Sequence, residues 1–275
     1  MKKNLLLILL SIFVLTQSFA EETILDKWQK IYDVNDWGET IDSYSYCIWE
    51  SAQNVKSNDL YAMRFFVRMD WTCISIILPG KSYNYQFLLS DENKVATIKY
   101  RNKQTEDSID ALIWDVYDVG TNTAVDIVPL RTGTVKTIEP IHGFRDIYKL
   151  FITNTNFEIL LKINSFQVKA TFKGLELNKE NIELYLLMAV IAPDIESVRN
   201  VFKLDKNILY SKRDSEILLK TDYFSTLHTN PWLINKWLDN TEERDEILKI
   251  LKENGIEQLK NPIDQNTPIY KSYQY

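Results

Sequence analysis

The spacing of hydrophobic residues changes near residue 178, and this change limits the folds open to the chain. Between about residues 40 and 175, hydrophobic and polar residues alternate, which is typical of β-strands with one buried face. From about residue 178 the hydrophobic residues recur with the 3.6-residue period of amphipathic helices. The chain has 275 residues, enough for two domains. The sequence therefore predicts a β-rich domain over residues 21–177 and a helical domain over residues 178–275, an α+β fold in two parts.

The alternation in the first half predicts how its strands assemble. Leu112, Trp114 and Val116 are expected to share one face of a strand. Asn164-Ser165 separates two alternating segments and has the length of a tight hairpin turn. Strands with one buried face favour an antiparallel β-sandwich, or a barrel-like sheet, over a parallel sheet. Glu22–Asp33 has apolar residues at helical spacing, which predicts a short leading helix packed against the sheet.

Capping residues predict where the helices of the second half begin. Asn178 and Asp194 are expected to cap two consecutive helices. Asn230-Pro231 would open a third helix, because proline is favoured in the first turn. Thr241 is expected to cap a fourth helix over Glu242–Asn254, which has acidic residues in its first turn. Paired helices with capped ends predict a helical array.

Part of the helical half resembles ankyrin repeats. Leu186-Leu187-Met188-Ala189 followed by Asp194–Val198 is similar to the helix–turn–helix core of that family. Asp264–Tyr270, which contains a threonine-proline pair, resembles the start of a further repeat, and Asp214–Leu219 resembles a repeat weakly. The spacing between these segments departs from the family period of about 33 residues and requires an insertion. The resemblance covers roughly residues 182–275 and implies a short array that binds a protein along its concave side.

Residues 1–20 have the features of a signal peptide. Lys2 and Lys3 precede an apolar run from Leu5 to Leu15, and Ser18-Phe19-Ala20 supplies small residues for cleavage. A helix over that run would span roughly 16 Å, which is short of the ~30 Å hydrocarbon core of a membrane. We therefore expect an exported protein, periplasmic or extracellular, with no transmembrane segment after cleavage.

Export also bears on the cysteines and the partners. In an oxidising compartment, Cys47 and Cys73 are expected to form a disulfide. Without Lys2 and Lys3 the chain has 30 basic and 38 acidic residues, a net charge of −8. Because that charge disfavours nucleic acid, the expected partner is a protein. Two cysteines alone cannot make a cysteine-based zinc site, and the two histidines add little to them.

The sequence contains no phosphate-binding loop and none of the common catalytic motifs. His142 and Asp146 offer the minimum for acid–base chemistry, but a lone histidine beside Gly143 is typical of a turn. His228 is expected to lie near a helix start. The remaining candidates fit a solvated acidic face and aromatic packing better than a site: Asp107, Asp110, Asp115, Asp118, Trp232 and Trp237.

These observations predict no catalytic, cofactor or metal site. We expect an exported, non-enzymatic binding or scaffold protein that engages a protein partner through its helical half. Two alternatives stay open: a hydrolase or lyase that acts on envelope polymers in a β-domain cleft, and a structural envelope component. Trp37-Gly38-Glu39 and Phe172–Leu175 are similar to segments of small exported bacterial β-sandwich proteins of unknown activity, which implies nothing about chemistry.

Overall fold

The structure, a computed structural model, divides the chain into two units, Met1–Leu175 and Glu176–Tyr275. The predicted signal peptide at residues 1–20 lies outside the described residues. The described residues are 25–34, 37–68, 71–90, 92–130, 142–153, 155–206, 210–213, 216–219 and 242–254.

The strands of the first unit form one antiparallel sheet that closes into a barrel. Eight strands follow the order β2-β3-β4-β7-β6-β5-β8-β9, and β9 pairs with β2 to complete the circle. β1 adds to the edge of β2 as a ninth strand. The predicted antiparallel β-domain is therefore confirmed, and it takes the barrel form. The strands are β1 Gln29–Val34, β2 Thr40–Asn54, β3 Leu60–Arg68, β4 Trp71–Pro79, β5 Val95–Arg101, β6 Glu106–Val119, β7 Asn122–Pro129, β8 Phe157–Ile163 and β9 Phe166–Phe172.

The alternation of side chains turns one largely apolar face of the barrel strands inward, whereas β4 and β7 are buried on both faces. On β3, Met63 and Phe65 are fully buried, and Arg64 lies on the opposite face. β8 and β9 form the predicted hairpin. Its turn begins at Asn164, whose φ of 51° is a left-handed conformation that asparagine tolerates.

A bulge in β6 overturns one predicted alternation. The pairing of β6 with β7 shifts between Ile113 and Asp115, because one extra residue is inserted there. Ile113 and Val116 are buried as a result, whereas Trp114 is 45% exposed. The prediction that Leu112, Trp114 and Val116 share one face is therefore wrong.

The leading helix expected over Glu22–Asp33 is also wrong for the described part of that segment. Gln29–Val34 is strand β1, and it pairs with the first half of β2, with Gln29 opposite Cys47. The hydrophobic spacing of so short a segment fits a helix and a strand about equally well. Pairing along β2 satisfies the backbone groups of both strands, which decides in favour of the strand.

A helix that the sequence analysis did not predict packs inside one end of the barrel. Helix α1 spans Arg145–Ile152 and follows a 3₁₀ turn at His142–Phe144. The rings of Phe144 and Phe151 lie 5.2 and 5.0 Å from that of Phe65. Such edge-on and tilted aromatic contacts are favourable beyond the area that they bury. The barrel interior at this end is therefore a packed aromatic core.

Gly143 allows α1 to approach the barrel wall. A Cβ atom at this position would lie 2.4 Å from the side chain of Pro129, at the end of β7. Only glycine permits so close an approach.

The second unit contains three described helices and one hairpin. Helix α2 (Ile182–Ile191) is buried along its whole length apart from Glu183. Helix α3 (Ile195–Leu204) packs against α2 and against α4 (Glu242–Glu253). The hairpin consists of β10 (Tyr210–Arg213) and β11 (Glu216–Leu219).

The caps of these helices agree in part with the sequence. The Asp194 carboxylate accepts the backbone N–H of Ser197 at 2.9 Å, so it caps α3 as predicted. Asn178 instead accepts the backbone N–H groups of Glu180 and Asn181, so it caps the turn before α2. Residues 216–219, part of the weak repeat match, form a strand. The predicted helix at Asn230-Pro231, Thr241 and residues 255–275 lie outside the described residues.

Candidate functional site

The barrel closes at a seam between β2 and β9. β2 pairs with β9 through Ala52–Asn54, and with β1 through Thr40–Cys47. The part of β2 between these pairings faces residues 25–28, because Asp26 donates its backbone N–H to the Trp49 carbonyl at 3.1 Å. Asp26 has a φ of 63°, which is uncommon for a residue other than glycine. The chain thus turns sharply as it enters the seam.

Two carboxyl groups meet at this seam. Glu50 lies on the inward face of β2, is 4% exposed and shares a hydrogen bond with Asp26. Asp26 Oδ2 also lies 3.6 Å from Nζ of Lys173, the residue that follows β9. The side chains of Asp26 and Lys173 are half-exposed. The pair therefore joins a solvent-accessible carboxylate to a carboxyl group inside the barrel.

The surroundings move the two pKa values apart. Burial raises the pKa of Glu50 to about 9, and the hydrogen bond and negative charge of Asp26 act in the same direction. The hydrogen bond from Glu50 lowers the pKa of Asp26, burial opposes this change, and the nearby Lys173 ammonium lowers the pKa further. At neutral pH, Glu50 is therefore protonated and Asp26 is ionised.

Trp28 extends the site into the barrel core. Its ring lies 5.1 Å from Phe151 and 6.4 Å from Phe65. Among the described residues, Trp28 Nε1 and Glu50 Oε1 are the buried side-chain atoms without a hydrogen-bond partner. The β1–β2 register places Trp28 beside Ile48, two residues from Glu50. Unpartnered buried polar atoms are uncommon, and two on one inward face distinguish the seam from the rest of the barrel.

The seam can perform two kinds of chemistry. A protonated carboxyl group beside an ionised one provides the donor and the acceptor that acid–base catalysis needs. The same hydrogen bond can also fasten two segments firmly, because one of its partners is charged.

This site could not be predicted from the sequence. The one local sequence signal is that Glu50 occupies an inward position of β2, on the same face as the apolar residues Ile48 and Ala52. Nothing in the sequence connects that position with Asp26 or Lys173, because their proximity depends on the closure of the barrel.

A second polar cluster lies on the outer face of β3, β4, β6 and β7. Arg64 Nη2 donates to Ser75 Oγ and to the Tyr117 hydroxyl, both at 2.9 Å, and lies 3.6 Å from Asp126 Oδ1. Ser75 donates to Asp126 Oδ1 at 2.6 Å. We name these four residues the Arg64 cluster.

The Arg64 cluster is largely shielded from solvent. The Arg64 guanidinium lies 5.3 Å from the ring centre of Trp49 and 5.2 Å from that of Phe66. The side chains of Arg64 and Asp126 are 17% and 12% exposed. Burial raises the pKa of Asp126, although the Arg64 charge opposes the change. Because its polar groups bind one another, the cluster holds strands together and offers little to a ligand.

Cys47 and Cys73 are both free, so the predicted disulfide is not present. Phe66 on β3 lies opposite Cys47 on β2 and also opposite Cys73 on β4. A whole strand thus separates the cysteines. At about 4.8 Å per strand, their Cα atoms lie roughly 10 Å apart, beyond the limit of about 7 Å for a disulfide. Burial raises the pKa of Cys47 to about 11 and that of Cys73 to about 12, which makes both thiols poor nucleophiles.

The described structure does not assemble the other candidate residues into a site. Asp146, in the first turn of α1, accepts a hydrogen bond from the Tyr100 hydroxyl at 3.2 Å. The side chain of its expected partner, His142, lies outside the described residues, as do three other candidates: His228, Trp232 and Trp237.

The acidic run is spread along β6. Asp118 lies 3.2 Å from Lys81, whereas Asp107 and Asp115 each accept the backbone N–H of the following residue. Asp110 is exposed. The contacts of these carboxylates therefore do not bring them together at one site.

Compared with protein-family models, curated proteins and solved structures, the chain shows no match. In the described part of the chain, no helix is long and apolar enough to cross a membrane. The same residues contain no group of three or more His, Cys, Asp or Glu side chains placed to hold a metal ion.

Proposed function

We propose that this protein is an exported, non-enzymatic binding protein that engages a protein partner through its helical unit. The observation that carries the proposal is the packing of α3 against both α2 and α4. Successive helices in contact are the building principle of repeat arrays, which bind proteins on their exposed sides. The ankyrin-like character of residues 182–275 and the export signal at residues 1–20 belong to the proposal and rest on the sequence.

The exposed side of α3 has the character of a protein-binding surface. Glu196, Arg199 and Lys203 are exposed and lie three and four residues apart, so they share one face of the helix. Arg199 also binds Glu246 of α4 at 2.6 Å. A mixed-charge row on a packed helix favours a partner with complementary charges, which improves specificity and the rate of association.

The test exchanges two charges on α3 within the full chain. Glu196→Lys combined with Lys203→Glu leaves the net charge and the Arg199–Glu246 pair unchanged. Partners are captured from the native envelope and quantified by mass spectrometry. We expect the variant to retain its partner about tenfold less well, because rim charges steer association.

A matched control makes the same exchange on the barrel. Lys99→Glu combined with Glu106→Lys alters two exposed residues of β5 and β6. The control should capture the partner like the unmodified protein. Equal capture by both variants would place the binding surface outside α3.

The Asp26–Glu50 pair favours a second candidate function, acid–base hydrolysis or elimination of an envelope polymer. The supporting observation is the separation of the two pKa values within one hydrogen-bonded pair. If this function holds, Glu50→Gln and Asp26→Asn should each lower the rate of polymer cleavage about a hundredfold or more. Cleavage that survives both substitutions would exclude the pair as the catalyst.

A further inference from the structure

We propose that the Asp26–Glu50 pair is a proton-dependent latch: it fastens residues 25–28 into the barrel seam, and detachment of this segment releases a proton. The latch works in the same way whether or not the helical unit binds a partner.

Three different contacts hold the segment in place. The Asp26 backbone bonds to the Trp49 carbonyl, the Asp26 carboxylate meets Glu50 and Lys173, and the Trp28 ring enters the aromatic core. The segment continues directly into β1, which is the ninth strand and not part of the closed circle. Residues 25–28 and the start of β1 can therefore detach while the eight-stranded barrel stays closed.

Detachment changes the surroundings of Glu50. With the segment in place, Glu50 is buried, and the charged groups that face it among the described residues are Asp26 and Lys173. With the segment detached, water reaches Glu50, and its pKa returns to the ordinary value of 4.5. Between pH 4.5 and about 9, the attached form thus holds one proton more than the detached form.

The sign of the pH dependence follows from this difference. A raised pKa stabilises the attached form fully at low pH, and this stabilisation is lost as the pH rises toward about 9. Because one proton is released, the equilibrium constant for detachment should rise about tenfold per pH unit. Acid closes the latch and base loosens it.

The rate of Cys47 alkylation measures how often the latch detaches. Cys47 is buried and lies opposite Gln29 at the start of β1, so detachment removes its neighbour. We would measure alkylation of Cys47 in the full chain with Cys73→Ser, at pH 6 and pH 8. Each rate is divided by the rate of the urea-unfolded chain at the same pH, which removes the pH dependence of the thiol itself. The ratio should rise about a hundredfold between the two pH values.

Two variants and one control decide the outcome. Glu50→Gln keeps the side-chain volume and a hydrogen-bond donor for Asp26 but releases no proton. Its alkylation ratio should therefore change less than about threefold between pH 6 and pH 8. Asp26→Asn should raise the ratio at both pH values and keep a rise with pH, because Glu50 stays buried. Cys73, probed with Cys47→Ser, is separated from β1 by β2 and β3 and should show no comparable rise. An unchanged pH dependence in Glu50→Gln, or an equal response of the two thiols, would overturn the proposal.

Discussion

Replacement of Arg64 by methionine should destabilise the barrel by about 3 kcal/mol at pH 7. Methionine fills much of the same space beside Trp49 and Phe66, so the packing against these rings changes little. The variant loses the guanidinium, however, and leaves the Asp126 carboxylate buried beside Ser75 without a cation.

The magnitude follows from the distance and the burial. Two unit charges 3.6 Å apart, as in Arg64 and Asp126, attract each other by about 4–5 kcal/mol at an effective dielectric constant of about 20. In the intact pair, desolvation of both groups offsets most of this attraction, whereas loss of one partner typically costs about 3–5 kcal/mol. The lower end applies here because Arg64 and Asp126 keep slight exposure, 17% and 12%.

A double-mutant cycle separates the charge effect from simple loss of packing. Asp126→Leu alone should cost about 3 kcal/mol, because it leaves Arg64 buried without an anion. The double variant buries no charge and should lose less than half of the sum of the two single effects. Part of that loss comes from Ser75 and Tyr117, whose hydroxyl groups lose partners.

Urea unfolding followed by circular dichroism provides the assay, at pH 7 and at pH 5. Burial raises the pKa of Asp126 in the folded state, and loss of Arg64 raises it further. A folded-state pKa above the unfolded value means that stability falls as the pH rises through that interval. The deficit of Arg64→Met should therefore shrink at pH 5. Additive single effects, or a deficit below about 0.5 kcal/mol, would refute this account of the cluster.

Three further measurements test other parts of the structure. In the folded protein at pH 8, Cys47 and Cys73 should not react with a thiol reagent within seconds, because burial raises the pKa of both thiols. Both should react within seconds in urea, and an equally rapid reaction without urea would contradict their burial. Gly143→Ala should lower the free energy of unfolding of the barrel by about 1–3 kcal/mol, since the new methyl group overlaps Pro129; an unchanged urea midpoint would mean that α1 sits differently. Asp194→Ala should lower the stability of the helical unit by about 1 kcal/mol and Asp194→Asn by much less, as measured by thermal unfolding, because only alanine loses the bond to Ser197.

The sequence by itself determined the features that depend on near neighbours along the chain. Alternation on β3 separates Met63 and Phe65 from Arg64, since successive side chains of a strand point to opposite faces. The Asn164 turn and the Asp194 cap follow from the conformational and hydrogen-bonding preferences of single residues. Each of these features can be read from a few consecutive residues.

The tertiary structure decided the features that depend on distant contacts. Gln29–Val34 became a strand because β2 offered an edge, and Trp114 turned outward because its strand carries an extra residue against β7. Strand order placed β3 between Cys47 and Cys73 and so prevented their pairing.

The seam depends most completely on the tertiary structure. Asp26, Glu50 and Lys173 are far apart in the sequence and meet because β9 returns to β2. The buried surroundings that keep Glu50 protonated exist only after the barrel has closed. A pKa set by burial is a property of the folded barrel, and no local pattern in the chain encodes it.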